Sequence, residues 1–376
     1  MDFDYSDEQR LLGDSVSRFV AERYDFESRL RAMREPDGWS RDLWREMAEL
    51  GILALPFAEE DGGFGGGGVE TMIVMEALGR GLVLEPYLST VILAGGLLRR
   101  AGTAAQRAER IPAIAAGERL MALAHQEPDM PRHHIGVRAK ARRAGSGWEL
   151  FGRKIAVLHG PSAEEFIVSA CAPGGVSLFL VPAGAEGLSV RARRGYDGVP
   201  IADMVLERMK VDSSALLGGE GMGAELLEAV FEEANAALAA EAVGIMADTL
   251  DLTTDYLKTR VQFGVPIGSF QALQHRAVDM LIQLELARSM AILAALSLDH
   301  APDQRRRNIA AAKVQIGRSG RFIGQQAVQL HGAIGITAEY KVGHAFKRLT
   351  AIDALFGDTD HHLEFLTDVG GLSAAA

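Results

Sequence analysis

Two stretches toward the C-terminal end, residues 273–296 and 306–330, repeat apolar side chains every three to four positions and contain no proline. Each is long enough for about six turns of α-helix. An apolar stripe of that length must be buried against other helices, and a four-helix bundle is the simplest solution. Val243, Met246, Leu250, Thr253 and Leu257 keep the same spacing and supply a further helix. The N-terminal third reads as helical too. Ser6 and Gln9 have the spacing of a capping box, and Leu11, Leu12, Val16, Phe19 and Val20 follow on one face. Further helices are expected near 42–50, closed by Gly51, and at 69–78.

The middle of the chain is different. From about 120 to 211 apolar and polar residues alternate, interrupted by Pro173-Gly174-Gly175 and Pro182-Ala183-Gly184. Strands are expected at 137–141, 148–150, 166–170, 176–181 and 204–211. Helices, then strands, then helices is not the alternation of a doubly wound sheet. The expected fold class is α+β, mainly α, in three modules: an N-terminal helical domain at 1–118, a middle β-barrel or sandwich domain at 119–215, and a C-terminal four-helix bundle at 216–376.

Charge and cysteine usage narrow the function. The 376 residues carry a net charge of −11, and the basic runs at 138–143 and 191–194 are short. Both read as solvated faces or anion contacts, and no nucleic-acid partner is expected. The single cysteine, Cys171, lies in the apolar run that begins at Phe166 and reads as a small buried hydrophobe. A lone thiol, an N-terminus without basic and apolar leader regions, and no run of about 18 apolar residues lead to the expectation of a cytoplasmic protein without a membrane span.

Several motifs are decoys. Gly63 to Gly68 matches G-x-G-x-x-G, but Glu59-Glu60-Asp61 before it is no strand, so a loop between helices is the better reading. The pairs His133-His134 and His361-His362 lack the further ligands a metal needs, and no metal is expected.

The informative segment runs Arg260-Val261-Gln262-Phe263-Gly264-Val265-Pro266-Ile267-Gly268-Ser269-Phe270-Gln271. It joins two helices and carries a guanidinium, two amides and aromatic rings. Arginine can fork onto a phosphate and phenylalanine can stack on a planar ring; spacing alone also allows a surface hinge. The pattern R-x-x-F-G-x-x-I-G-x-x-Q resembles the FAD-binding signature of the acyl-CoA dehydrogenases. Gln329-Leu330-His331-Gly332-Ala333-Ile334-Gly335 is similar to that family's Q-x-x-G-G-x-G stretch. Leu50-Gly51-Ile52, Pro56 and Glu59-Glu60-Asp61-Gly62-Gly63 resemble its N-terminal loop.

The resemblance implies FAD as cofactor and an acyl-CoA thioester as substrate. It also implies an electron-transfer flavoprotein as acceptor and a role in fatty acid β-oxidation. It places the diphosphate and adenosine half of the cofactor on Arg260, Gln262, Phe263, Gln271, Gln329, Gly332 and Ala333, with alanine replacing a glycine at Ala333. The half that faces the flavin ring departs from the family. In Gly152-Arg153-Lys154-Ile155-Ala156-Val157-Leu158-His159-Gly160, Ala156 stands for the expected tryptophan and Leu158 for a threonine. Gln126-Glu127-Pro128 matches a T-E-P segment whose following small-residue loop is replaced. Phe356 stands where the glutamate base is expected, and Ala234 where a minority of the family carries it. Asp358 is the remaining catalytic candidate, with helix capping its alternative. The resemblance, most like the small subunit of a pimeloyl-CoA dehydrogenase, thus implies a heteromer, a heterotetramer in which a related catalytic subunit supplies the base. The alternatives are a self-sufficient homotetramer with a displaced base and a non-catalytic scaffold.

Overall fold

The computed structural model describes residues 5–131 and 135–371; the expectations about Met1 to Asp4 and the His133-His134 pair lie outside them. Helices α1 (Asp7–Arg23), α2 (Phe26–Ala32), α3 (Arg41–Glu49), α4 (Gly68–Gly81), α5 (Gly96–Ala101) and α6 (Ala104–Ala115) come first. The Ser6 hydroxyl accepts from Gln9 N and the Gln9 side chain accepts from Ser6 N, so the capping box forms. Residues Tyr87–Gly95 form a fully buried π-helix that the sequence reading did not anticipate.

Eight strands follow: β1 (Met121–Ala124), β2 (Lys140–Ala144), β3 (Gly147–Leu158), β4 (Glu165–Ala172), β5 (Gly175–Pro182), β6 (Leu188–Arg194), β7 (Pro200–Val211) and β8 (Leu216–Leu217). They form one sheet in the order β6-β7-β3-β2-β4-β5-β8, with β1 parallel to β4. Trp148, Phe166, Phe179, Met204 and Met209 fill its core. Cys171 corrects its expectation: it is the exposed residue of an otherwise buried β4.

The last part holds α7 (Gly223–Thr259), the short pair β9 (Val261–Gln262) and β10 (Val265–Pro266), α8 (Gln271–Ser297), α9 (Pro302–His331), α10 (Lys341–Ala354) and α11 (Thr359–Asp368). By contacts the chain divides into two compact units. One comprises Met1–Arg29, Gly68–Val83 and Asn235–Ala376; the other comprises Leu30–Gly67 and Leu84–Ala234. In the first unit, small residues permit close helix packing. A Cβ on Gly244 of α7 would lie 1.9 Å from the Glu76 carbonyl oxygen of α4, so only glycine fits there. In the same unit, Arg29 is buried; its Nε donates to Leu82 O (2.8 Å) and its Nη1 lies 2.9 Å from His344 Nδ1.

Helix α8 is long and apolar enough to cross a membrane, with a mean hydropathy of 1.4 over its most apolar window, of which 39% is buried. Its exposed apolar residues Val278, Leu281, Ile282 and Leu286 lie on one face.

Candidate functional site

At the end of α7, Arg260 N donates to Tyr256 O and Ile267 N donates back to Arg260 O, both at 2.8 Å, which closes a loop. Inside it β9 and β10 pair antiparallel, with Gln262 opposite Val265. The tip residues Phe263 (φ +54°) and Gly264 (φ +82°) are both left-handed, as a tight hairpin of this twist requires. Phe263 is 91% exposed, its ring edge-on to Phe270 at 6.2 Å. Arg260, Gln262 and Gln271 are exposed as well. The Arg260 guanidinium has no hydrogen-bond or ion-pair partner among the described residues. Gln271 opens α8, whose start no side chain caps, so the positive end of that helix is left open at this turn.

The second segment lies at the same end of the helices. His331, the last residue of α9, stacks on Tyr256 (4.5 Å, 30°) and sits 5.0 Å from the Tyr340 ring; its Nδ1 donates to Ala327 O at 2.8 Å. Burial holds the His331 imidazole below its usual pKa, so it is neutral. Arg276 Nη1 of α8 donates to Gln326 Oε1 of α9 at 3.1 Å. Gln329, Gly332 and Ala333 are exposed, and no atom lies within 4 Å of a Cβ built on Gly332. The seven residues singled out for the cofactor therefore border one exposed end of α7, α8 and α9. His331 belongs to the stretch already quoted but was given no role, and its packing against Tyr256 and Tyr340 was not anticipated; an aromatic residue one turn before Arg260 is the signal that could have found Tyr256.

In the other unit, β3 carries the residues expected near the flavin ring. Its register with β7 shifts between Lys154 and Val157, and Ala156 bulges out with φ +52°, exposed, its N–H donating to Asp203 Oδ1 (3.3 Å). Leu158 is half-buried, and the His159 Nε2 donates to Leu84 O (2.8 Å). The bulge is anchored from below by a network that sequence reading missed. Lys154 is fully buried and its Nζ donates to Glu127 Oε1 (2.7 Å), Ser169 Oγ (3.0 Å) and His125 O (3.1 Å). Glu127 also accepts from Arg138 N and Ala139 N. Burial pushes the Lys154 ammonium down to about 8 while Glu127 opposes the shift. Burial would raise Glu127, but Lys154 and the two N–H groups bring it below the usual carboxylate range.

Neither expected base position holds a carboxylate. Phe356 is half-buried and left-handed (φ +53°), followed by Gly357 (φ +103°). Asn235, the residue after Ala234, donates from Nδ2 to Phe356 O at 3.3 Å. Asp358 is the N-cap of α11, its carboxylate accepting from His361 N at 2.9 Å, so the capping alternative holds. Glu233 receives Arg99 Nη2 on both oxygens (2.9 and 2.8 Å) and Arg100 on one. Among the described residues no cluster of His, Cys, Asp and Glu could hold a metal ion.

Known proteins share this arrangement. Residues 6–118, 124–209 and 221–370 match, in turn, the N-terminal, middle and C-terminal domains of acyl-CoA dehydrogenases. The acyl-CoA dehydrogenase FadE12 of Mycobacterium tuberculosis is 32% identical over 356 residues, covering 90% of this chain and 89% of that protein. This chain belongs to the acyl-CoA dehydrogenase family. The structure of the ChsE4-ChsE5 complex from Mycobacterium tuberculosis superposes with a TM-score of 0.88 at 27% identity, covering 98% of both chains. That of PigA with FAD and proline gives 0.91 at 28% identity, covering 99% of this chain and 100% of that one.

Proposed function

We propose that this chain is the partner subunit of a heteromeric FAD-dependent acyl-CoA dehydrogenase. In this reading it completes the cofactor site of a related subunit that carries the base. The coarser statement holds independently: the chain is an acyl-CoA dehydrogenase-family oxidoreductase and its cofactor is FAD. The finer one is supported by a single contrast, a cofactor-facing turn with its chemistry kept and base positions with theirs removed.

The residues present fit a dinucleotide diphosphate. Arg260 offers a forked donor without an internal partner, Gln262 and Gln271 offer amides, and α8 offers an uncapped positive end. Gly332 leaves backbone that no side chain approaches. Phe263 presents a bare ring. When bound, FAD supplies the hydride acceptor for α,β-desaturation of the acyl thioester. The chain's own contribution is to bind and orient the phosphates. Proton removal falls to the related subunit, because Phe356 and Ala234 have no acid–base chemistry and Glu233 is tied to two arginines. The exposed α8 stripe (Val278, Leu281, Ile282 and Leu286) is the surface another subunit would cover. The ChsE4-ChsE5 neighbour, a complex of two differently named chains, favours a mixed assembly. An electron-transfer flavoprotein is the proposed acceptor.

The test is to purify the chain alone and together with base-carrying relatives from the same genome, then measure bound flavin and its reduction by acyl-CoA. The expected result is fast reduction in the mixed assembly, with the chain alone slower by about 10²–10⁴-fold, the weight of a positioned base. Full flavin loading and turnover by the chain alone would contradict the proposal.

A further inference from the structure

The turn at 355–358 is held more tightly than a surface turn needs. Phe356 is an aromatic residue in the left-handed region, a conformation that bulky side chains avoid and that persists only where surroundings impose it. Three sets of hydrogen bonds brace the turn around it, and one glycine makes room for them. Lys313 of α9 is buried, and its Nζ lies 2.8 Å from Ile352 O, 3.3 Å from Asp353 O, 2.5 Å from Leu355 O and 2.9 Å from Gly357 O. Asp353 accepts from Thr359 N (3.2 Å) and Thr359 Oγ1 (2.7 Å), and from Arg321 Nη2 (3.0 Å). Asn235 Nδ2 holds the Phe356 carbonyl. Gly317 of α9 makes room, since a Cβ there would lie 2.2 Å from Asp353 Oδ1 and 2.1 Å from Thr359 Oγ1.

We propose that Lys313 is the positioning residue of this turn: its buried ammonium gathers the carbonyls at the end of α10 and of the turn itself, and so fixes residue 356. The inference deepens the reading above, because 356 is where the family resemblance places the base. Two features of the geometry favour a cation. An ammonium has three hydrogens to share among four carbonyl oxygens, and among the described residues no carboxylate is hydrogen-bonded to its nitrogen. Two of the carbonyls, Ile352 O and Asp353 O, belong to the last turn of α10, where the helix dipole is negative; Ile352 O otherwise accepts only a long bond from Leu355 N at 3.3 Å. Burial pushes Lys313 down to about 7, and the charges of Asp353 and Asp358 oppose that shift. The position thus retains a positioned scaffold although the side chain it presents in this chain is Phe356, with no proton to exchange.

The experiment follows amide hydrogen exchange of residues 355–362 in the purified chain, in whatever assembly it forms, so flavin loading does not enter the readout. Lys313→Met keeps the stem and removes the donors; Lys313→Ala leaves space for an added amine. Protection of 355–362 should fall about tenfold or more in Lys313→Met, the weight of a charge-assisted hydrogen bond, while the β sheet is unchanged. In Lys313→Ala, ethylammonium should restore protection saturably where ethanol does not, a rescue that packing alone would not discriminate. Should neither variant fold, ¹⁵N-labelled lysine in the wild-type protein decides: a slowly exchanging NH₃⁺ signal at pH 6, lost in no mild condition, supports the assignment. Wild-type protection in Lys313→Met, equal rescue by ethanol, or no slowly exchanging ammonium would overturn it.

Discussion

The turn at 260–271 and the turn at 355–358 belong to the same compact unit, and they are finished in opposite ways. The first spends its hydrogen bonds on its own backbone and leaves Arg260, Gln271 and a 91% exposed Phe263 without an internal task. The second is closed from within by Lys313, Asp353 and Asn235. A polar, aromatic turn without side-chain partners for Arg260 among the described residues suits the proposed contact with another molecule. A turn satisfied from inside is built to stay put. Under the proposed function, the contrast separates a turn offered to a partner's cofactor from a turn held rigid within the chain.

The largest effect expected of the closed turn is in acid. His362 of α11 is buried beside it, and burial, with Lys313 and His361 adding repulsion, lowers its pKa from 6.5 to about 3. The unfolded chain therefore binds this proton more readily than the folded one. Stability is fully present above pH 6.5 and is lost as pH falls toward 3. At about 1.4 kcal/mol per pKa unit the loss approaches about 5 kcal/mol. Urea titrations between pH 7 and 4 should show midpoints falling in the wild type and a flatter decline in His362→Phe; parallel declines would break the account of this region.

Next comes the exposed turn. Arg260→Ala should weaken FAD binding by about 1.5–3 kcal/mol, the cost of losing a charge-assisted contact. Because its guanidinium has no partner among the described residues, apo stability should move by less than about 0.5 kcal/mol. Flavin retention on desalting reads the first and thermal unfolding the second. A loss of apo stability with unchanged flavin affinity would invert the comparison.

Glycine substitutions sharpen it further. Gly317→Ala would drive a methyl into Asp353 and Thr359 and should cost about 1–3 kcal/mol by overpacking. Gly264→Ala meets nothing within 4 Å and pays only for its positive φ, about 1 kcal/mol. If denaturant midpoints rank them in the reverse order, the two turns are not constrained as described.

Much of this was legible in the sequence, for physical reasons. Long helices announce themselves by period, the capping box at Ser6 by residue type, and the Arg260 turn by chemistry that has no structural purpose. The strands that escaped notice had the wrong composition. Residues 121–124 read Met-Ala-Leu-Ala, good helix formers that are buried on both faces, and β6 ends in Arg-Ala-Arg-Arg because its edge faces solvent. The apolar run from Phe166 also misplaced Cys171, since β4 is buried on both faces except at that residue. Lys313 was invisible because its partners are backbone carbonyls, which leave no pattern in side chains. The Lys154–Glu127 pair was hidden by 27 residues of separation, and Phe356 φ +53° by a residue type that does not signal it.

The most direct measurement is the structure of the FAD-loaded assembly, read at the Arg260 turn. The account requires the cofactor's diphosphate within hydrogen-bond reach of the Arg260 guanidinium, with the flavin ring of that same FAD seated on a different polypeptide that bears a carboxylate base. Finding the flavin ring against Ala156 of the very chain whose Arg260 grips the phosphates, or Arg260 in bulk solvent with FAD held elsewhere, would contradict it.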